Sequence, residues 1–123
     1  MKIDDLASSI AQELMEYSDE VAAGIKADVR RTAKECAAEI RAKSPKATGD
    51  YAKGWKVRTA FESDSDIRVT VFNKTDGSLT HLLEDGHAKA TGGRVEGKPH
   101  IRPAEQAATE KLGKRVKVTV GTR

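Results

Sequence analysis

The sequence predicts an α+β fold: a long N-terminal helix packed on an antiparallel sheet of three to four strands, with a short helix near the C-terminus. Three observations carry this expectation. Apolar residues in the first third recur at helical spacing, and from Trp55 onward the spacing changes to strict alternation. The length, 123 residues, suits a single domain that buries roughly two thirds of its unfolded surface.

The first element is read from Ile3, Leu6, Ile10, Leu14, Tyr17, Val21, Ile25, Val29, Cys36 and Ile40, which lay one stripe along a helix over residues 1–43. The alanines between them favour helix. Asp4 and Asp5 in the first turn and Arg41 and Lys43 in the last match the helix dipole, and Ser44-Pro45 closes the element. Ser18-Asp19-Glu20 would also make an acceptable N-cap, and Gly24 costs about 1 kcal/mol relative to alanine. A continuous or slightly bent helix is expected; the alternative is a break near Ser18 that folds the first segment back. Unbroken, the helix would run about 60 Å, against a radius of gyration near 14 Å for a compact domain of this length (roughly). The apolar face from Ile3 to Tyr17 is therefore expected to pack against another copy or another protein.

After the loop SPKATGDYAKG, Trp55, Val57, Thr59 and Phe61 alternate with charged or small residues, as do Ile67, Val69, Val71 and Asn73. These are two strands of a half-buried sheet, joined by the polar hairpin Glu62 to Asp66. A turn is expected over Asn73 to Ser78, around Asp76-Gly77. Leu79 to Asp85 reads as one or two helical turns with Gly86 at the C-cap. Residues 86–102 read as a flexible glycine-rich loop, Pro103 to Gly113 as a short helix, and Val116, Val118 and Val120 as a last strand.

Hydrophobic residues make up 37% of the chain and charged residues 33%, so the core is expected to be thin and mostly aliphatic. Twenty-two basic against 19 acidic side chains leave a net charge of +3, which permits nucleic acid binding without indicating it. Met1 to Asp5 carries acids where a secretion signal needs an apolar run, and no stretch approaches the ~18 apolar residues of a membrane span. A soluble protein, intracellular when made and without a membrane partner, is expected. Cys36 stands alone and reads as a small hydrophobe on a helix face.

Gly92, Gly97 and Lys98 have the spacing of a phosphate-cradling loop. Gly86 to Thr91 is no strand, however, and Pro99 stands where a magnesium-binding hydroxyl and an amide donor are needed. His81, Glu84 and His87, with His100, invite a metal reading, but Gly86 should end the helix before His87 and the zinc-hydrolase order is absent. Cys36 is far in sequence from any histidine, and Ser78 or Thr80 near His81 is an ordinary turn pairing. Trp55-Lys56-Val57-Arg58 interleaves aromatic and basic residues, but alternation places Trp55 on the core face with Val57 and Phe61. Backbone contact to nucleic acid through Lys89, Arg94, Lys98 and Arg102 stays open.

Three motifs stand in order along most of the chain: Pro45-Lys46-Ala47-Thr48-Gly49, Leu82-Leu83-Glu84-Asp85-Gly86-His87, and Pro99-His100-Ile101-Arg102-Pro103-Ala104. In these the chain resembles the small head-tail connector, or tail-completion, proteins of long-tailed bacteriophages, a minor tail component of the gene product ten type. His100 stands where that family usually carries phenylalanine. The resemblance implies a virion structural protein of the neck, made in the host cytoplasm and assembled as a ring, commonly six-fold, between head and tail. It implies no catalysis and no cofactor or metal. The implied partners are further copies of the chain, the portal or head adaptor, the tail terminator or tail tube, and DNA in the channel. The expected interface residues are Ile3, Leu6, Ile10 and Leu14 on the first segment, with Gly86, His87, Lys89, Gly92, Gly93, Arg94, Lys98, Pro99, His100 and Arg102 around the loop. The rival reading is a small nucleic-acid-binding module that uses the basic glycine-rich loop.

Overall fold

The computed structural model describes residues 6–14, 17–45, 50–75, 80–89 and 91–121. Its elements, in chain order, are β1 (Leu6–Glu13), α1 (Asp19–Lys43), α2 (Asp50–Lys53), β2 (Trp55–Glu62), β3 (Asp66–Asn73), α3 (Thr80–Asp85), β4 (Gly86–Ala88), β5 (Arg94–Glu96) and α4 (Arg102–Gly121). The fold is α+β, with α1 placed between a three-stranded antiparallel sheet, order β1-β3-β2, and α4. Ile3 and the expected turn around Asp76-Gly77 lie outside the described residues.

α1 begins where Ser18 offers its hydroxyl to the Val21 N–H, 3.3 Å away, so that one of the orphan donors of the first turn is satisfied. It ends at Ser44, whose N–H donates to the Arg41 carbonyl. Between these caps the helix shows three working stripes. Val21, Ile25, Val29, Ala33, Cys36 and Ile40 are buried in the core. Lys26 and Arg30 reach Glu62 on β2. Gly24, Asp28, Thr32 and Glu35 meet α4 through Thr119 and Arg115. Burial pushes the Cys36 thiol up to about 11, as expected of a packed cysteine rather than a reactive one.

The segment before Ser18 corrects the expectation of one helix over residues 1–43. Leu6–Glu13 is a strand on the edge of the sheet, antiparallel to β3, with Ile10 opposite Val69 and Gln12 opposite Ile67. The break near Ser18 that folds the first segment back is the arrangement found. The central Ser8-Ser9 pair is a poor helix former, and β3 offers a row of backbone donors and acceptors that β1 satisfies. Leu14 follows directly, 1% exposed in the chain's own core, its N–H bonded to the Ser65 carbonyl at 2.8 Å. The surplus of apolar surface inferred from an unbroken rod is therefore absorbed in part by the chain itself.

β2 and β3 form as the alternation predicts, with Ile67, Val69 and Val71 buried toward α1. The C-terminal region is a second correction. α4 continues through Gly113 to Gly121, and residues 115–120 are helical rather than a strand. Leu112, Val116 and Val120, four residues apart, pack against the core, while Arg115 bonds Thr32 and Glu35 and Thr119 bonds Asp28. These contacts with α1 outweigh the cost of about 1 kcal/mol for a glycine inside the helix. Gly24 is where the helices come closest: a Cβ there would lie 2.7 Å from the Thr119 methyl.

The third correction concerns the glycine-rich stretch, which contains a β-hairpin. β4 and β5 pair in register, His87 opposite Val95 and Ala88 opposite Arg94. Gly92 and Gly93 take the left-handed φ values of +98° and +79° that close its turn.

Candidate functional site: the hairpin root

α3 is a short helix that ends at Asp85, and its role is to deliver Glu84 inward, where it is buried. One Glu84 oxygen, Oε1, accepts from the backbone N–H groups of His100 (2.8 Å) and Ile101 (3.0 Å), and Oε2 accepts from Arg102 N–H (3.0 Å). α4 needs this supply from another element. Ile101, whose carbonyl accepts the first helical bond from Glu105, has no side-chain acceptor to cap the helix with. A carboxylate at this end also meets the positive pole of the helix. Burial alone would raise the Glu84 carboxyl, but the N–H donors of His100, Arg102 and Ile101 outweigh it and hold the group below the usual carboxylate range.

His100 is 0% exposed. Its Nδ1 lies 2.7 Å from the Lys98 carbonyl and 3.1 Å from Glu84 Oε1, both acceptors, which assigns the proton to Nδ1. Nε2 then accepts from the Tyr51 hydroxyl at 2.7 Å. Burial pushes that hydroxyl up to about 12, so it stays a neutral donor. Tyr51 and His100 meet edge to face at 5.5 Å, and Tyr51 meets Trp55 the same way at 5.6 Å. Trp55 in turn donates Nε1–H to the Ser44 hydroxyl at 3.0 Å, and Asn73 donates to the Tyr51 carbonyl at 2.7 Å. A chain of satisfied polar groups thus joins the end of α1, the ends of β2 and β3, α3 and the start of α4.

The hairpin springs from this junction. Gly86, with φ +83°, passes so close to the Val95 carbonyl that no side chain fits between them. Arg94 donates to the Asp85 carbonyl at 2.5 Å, Arg102 pairs with the Asp85 carboxylate, and Lys98 N–H donates to the Leu83 carbonyl at 2.8 Å. Above the root, residues 91–96 are all exposed.

This geometry disposes of the phosphate-loop spacing in a specific way. The amides at the head of α4, which a phosphate loop would aim at its ligand, are occupied by Glu84, and Gly92 and Gly97 belong to a hairpin turn and its root. Glu84 is spent on the same amides, and among the described residues no group of three His, Cys, Asp or Glu is placed to hold a metal ion.

Of the expected interface residues, Gly86, Lys89, Gly92, Gly93, Arg94, Lys98, Pro99 and Arg102 are brought together on the hairpin and its root, with His87 in register on β4. Leu14 and His100 are not available for contact; both are interior to the chain. Leu6 and Ile10 stand on β1, opposite Phe72 and Val69. Sequence reasoning missed the network of Tyr51, Ser44 and Asn73, and it met Glu84 only in a metal reading that it set aside and in a family motif. The signal that would have found Glu84 is an α4 whose cap position, Ile101, lacks an acceptor.

The fold and this junction define a small α+β protein whose buried polar groups hold a projecting hairpin in place. The chain belongs to the phage protein family described as "Bacteriophage HK97-gp10, putative tail-component", whose model matches residues 8–86, more than half of its length. No curated protein and no solved structure matches it significantly. Membership makes the chain a structural component of the phage virion. The matched stretch runs from β1 to the first residue of the hairpin, so that Glu84 falls inside it and the amides it caps fall beyond.

Proposed function

We propose that this chain works in the neck of the virion, joining head and tail as a member of an oligomeric ring. The observation that carries the reading is the β4–β5 hairpin: an exposed arm with Val95 on it, anchored at its root by Glu84, Asp85, Arg94 and Arg102. A rigidly rooted arm is suited to reach a neighbouring subunit or the portal, head adaptor, tail terminator or tail tube on either side, with little ordering cost on contact. Among the described residues the outer edges of β1 and β2 pair with no further strand, and they are further surfaces that a ring can cover. Family membership supports a virion role of this kind.

The test is the mass of the full chain by light scattering at several concentrations, alone and with purified portal or tail protein. Association with a partner, lost when residues 88–95 are replaced by a two-residue turn while far-UV circular dichroism is kept, supports the proposal. A chain that stays monomeric with every neck partner present overturns it.

A further inference from the structure

The sheet has one face against α1 and one toward solvent, and a β-bulge in β2 decides what the solvent face carries. β2 starts in strict alternation: Trp55 is buried and Val57 half-buried, while Lys56 and Arg58 are exposed. At Ala60 the pairing slips, since Thr59 stands opposite Val69 and Phe61 opposite its direct neighbour Arg68. One extra residue reverses every side chain after it. Phe61, which alternation places in the core, is 53% exposed beside Arg68, and Glu62 moves to the helix side, where it pairs with Lys26 and Arg30.

The face away from α1 therefore carries Lys56, Arg58, Phe61, Arg68 and Phe72 around a buried Thr70, with the Arg58 guanidinium 4.8 Å from the centroid of the Phe72 ring. The acid that could have neutralised it has been turned to the other side. Among the described residues, the acids in register with this face are Asp66, at its end on β3, and Glu13 opposite it on β1. Lys26, Arg30, Arg102, Lys111 and Arg115 pair with carboxylates, whereas Lys56 and Arg68, like several exposed lysines elsewhere, have no ion-pair partner among the described residues.

We infer that this face binds single-stranded nucleic acid, with phosphates on Lys56 and Arg68 and a base stacked on Phe61. A flat, cationic sheet with an exposed aromatic set among the charges is what an unpaired strand requires. A duplex offers phosphates to the cations but hides the π-faces of its bases, leaving Phe61 without a partner. An acidic protein surface would likewise bring carboxylates against an exposed ring. The inference goes beyond the neck reading and needs neither the ring nor the hairpin.

The experiment is fluorescence anisotropy of labelled oligo-dT, about 16 nucleotides long, titrated with the full chain over a range of salt. The expected affinity falls linearly with salt on logarithmic axes, and the Lys56→Ala/Arg68→Ala variant flattens the slope by about 1.4. Phe61→Ala is expected to weaken binding about 5- to 150-fold, with Phe61→Trp restoring it. Lys89→Ala/Arg94→Ala, on the hairpin, should leave affinity unchanged. All the altered side chains are exposed, and thermal melting checks that each variant folds. Failure to bind oligo-dT at low salt overturns the inference, as does a duplex of equal length bound as tightly as the single strand. It is equally overturned if Phe61→Ala changes only the mass seen by light scattering and leaves DNA affinity intact, because Phe61 is then a contact between chains. None of these outcomes depends on whether portal or tail protein is bound.

Discussion

The core between α1 and the sheet and the junction at the head of α4 are both buried, and different forces hold them. In the first, Ile25, Val29, Ile40, Val69 and Val71 are apolar and fully enclosed, and burial of apolar area is non-directional. In the second, Glu84, His100, Tyr51 and Ser44 are polar and equally enclosed, and each is held by bonds with definite donors and acceptors. A core of the first kind tolerates a change of shape if volume is kept. A network of the second kind fails when one atom is lost, because its remaining members stay buried without partners. The comparison separates what holds the scaffold together from what aims the hairpin.

The largest expected effect lies where the two regions meet. Trp55 packs in the core and reaches into the polar network, so Trp55→Ala is expected to cost about 3–5 kcal/mol, read from urea unfolding followed by circular dichroism. Trp55→Phe, which keeps most of the packing and removes the bond to Ser44, should cost well under half of that.

Next is Glu84→Ala, expected to cost about 2–3 kcal/mol by stranding the His100 and Ile101 N–H groups. Native-state hydrogen exchange distinguishes this from a general loss: the amides of residues 100–102 should gain exchange far more than those of α1. The pH dependence sharpens the point. The Glu84 carboxyl is held below its ordinary value of 4.5, so its contribution is fully present above that pH and is lost as pH falls through the lower, folded-state value. Glu84→Gln should flatten the acid limb of the stability curve. An unchanged acid limb would assign the sensitivity to Glu35 and Glu62, which Arg115 and Arg30, respectively, hold low.

Gly86→Ala is expected to cost about 1–2 kcal/mol from the left-handed backbone alone, with the hairpin displaced by the clash at the Val95 carbonyl. Its mark is a change in exchange or proteolysis over residues 86–97 with little change over the sheet. The smallest effect is expected from Arg115→Ala, which removes a surface ion pair with Glu35 between α1 and α4. A small loss of stability is expected, fading at high salt.

Much of the fold was legible because the relevant signals were local. Ser18 with Asp19-Glu20 started a helix where the cap rule allows one, Ser44-Pro45 stopped it, and Gly86 ended α3 in the left-handed conformation. Trp55 to Asn73 carried a period of two, and two strands formed there. Two of the three misread segments share one cause. Leu6 and Ile10 are four residues apart, as are Val116 and Val120, and a spacing of four puts side chains on one side of a helix and on one side of a strand alike. The first pair lies in a strand and the second in a helix. Of the site, Gly86 was legible as the left-handed stop of α3, whereas Arg94 and Arg102 were expected as contacts and stand at the hairpin root, bonded to Asp85. The Tyr51, Glu84 and His100 network was not legible, because its members are 16 to 49 residues apart and no periodicity links them.

The sequence by itself determined α1, the β2–β3 hairpin and the stop at Gly86, since each is set by neighbours within a few residues: caps, alternation and a left-handed glycine. Only the tertiary structure decided that Leu6–Glu13 is a strand, that residues 115–120 continue α4, that Phe61 faces water and that Glu84 caps a helix to which it does not belong. In each of these the local preference is nearly even. The choice falls to a distant partner whose donors, acceptors or apolar surface would otherwise go unsatisfied.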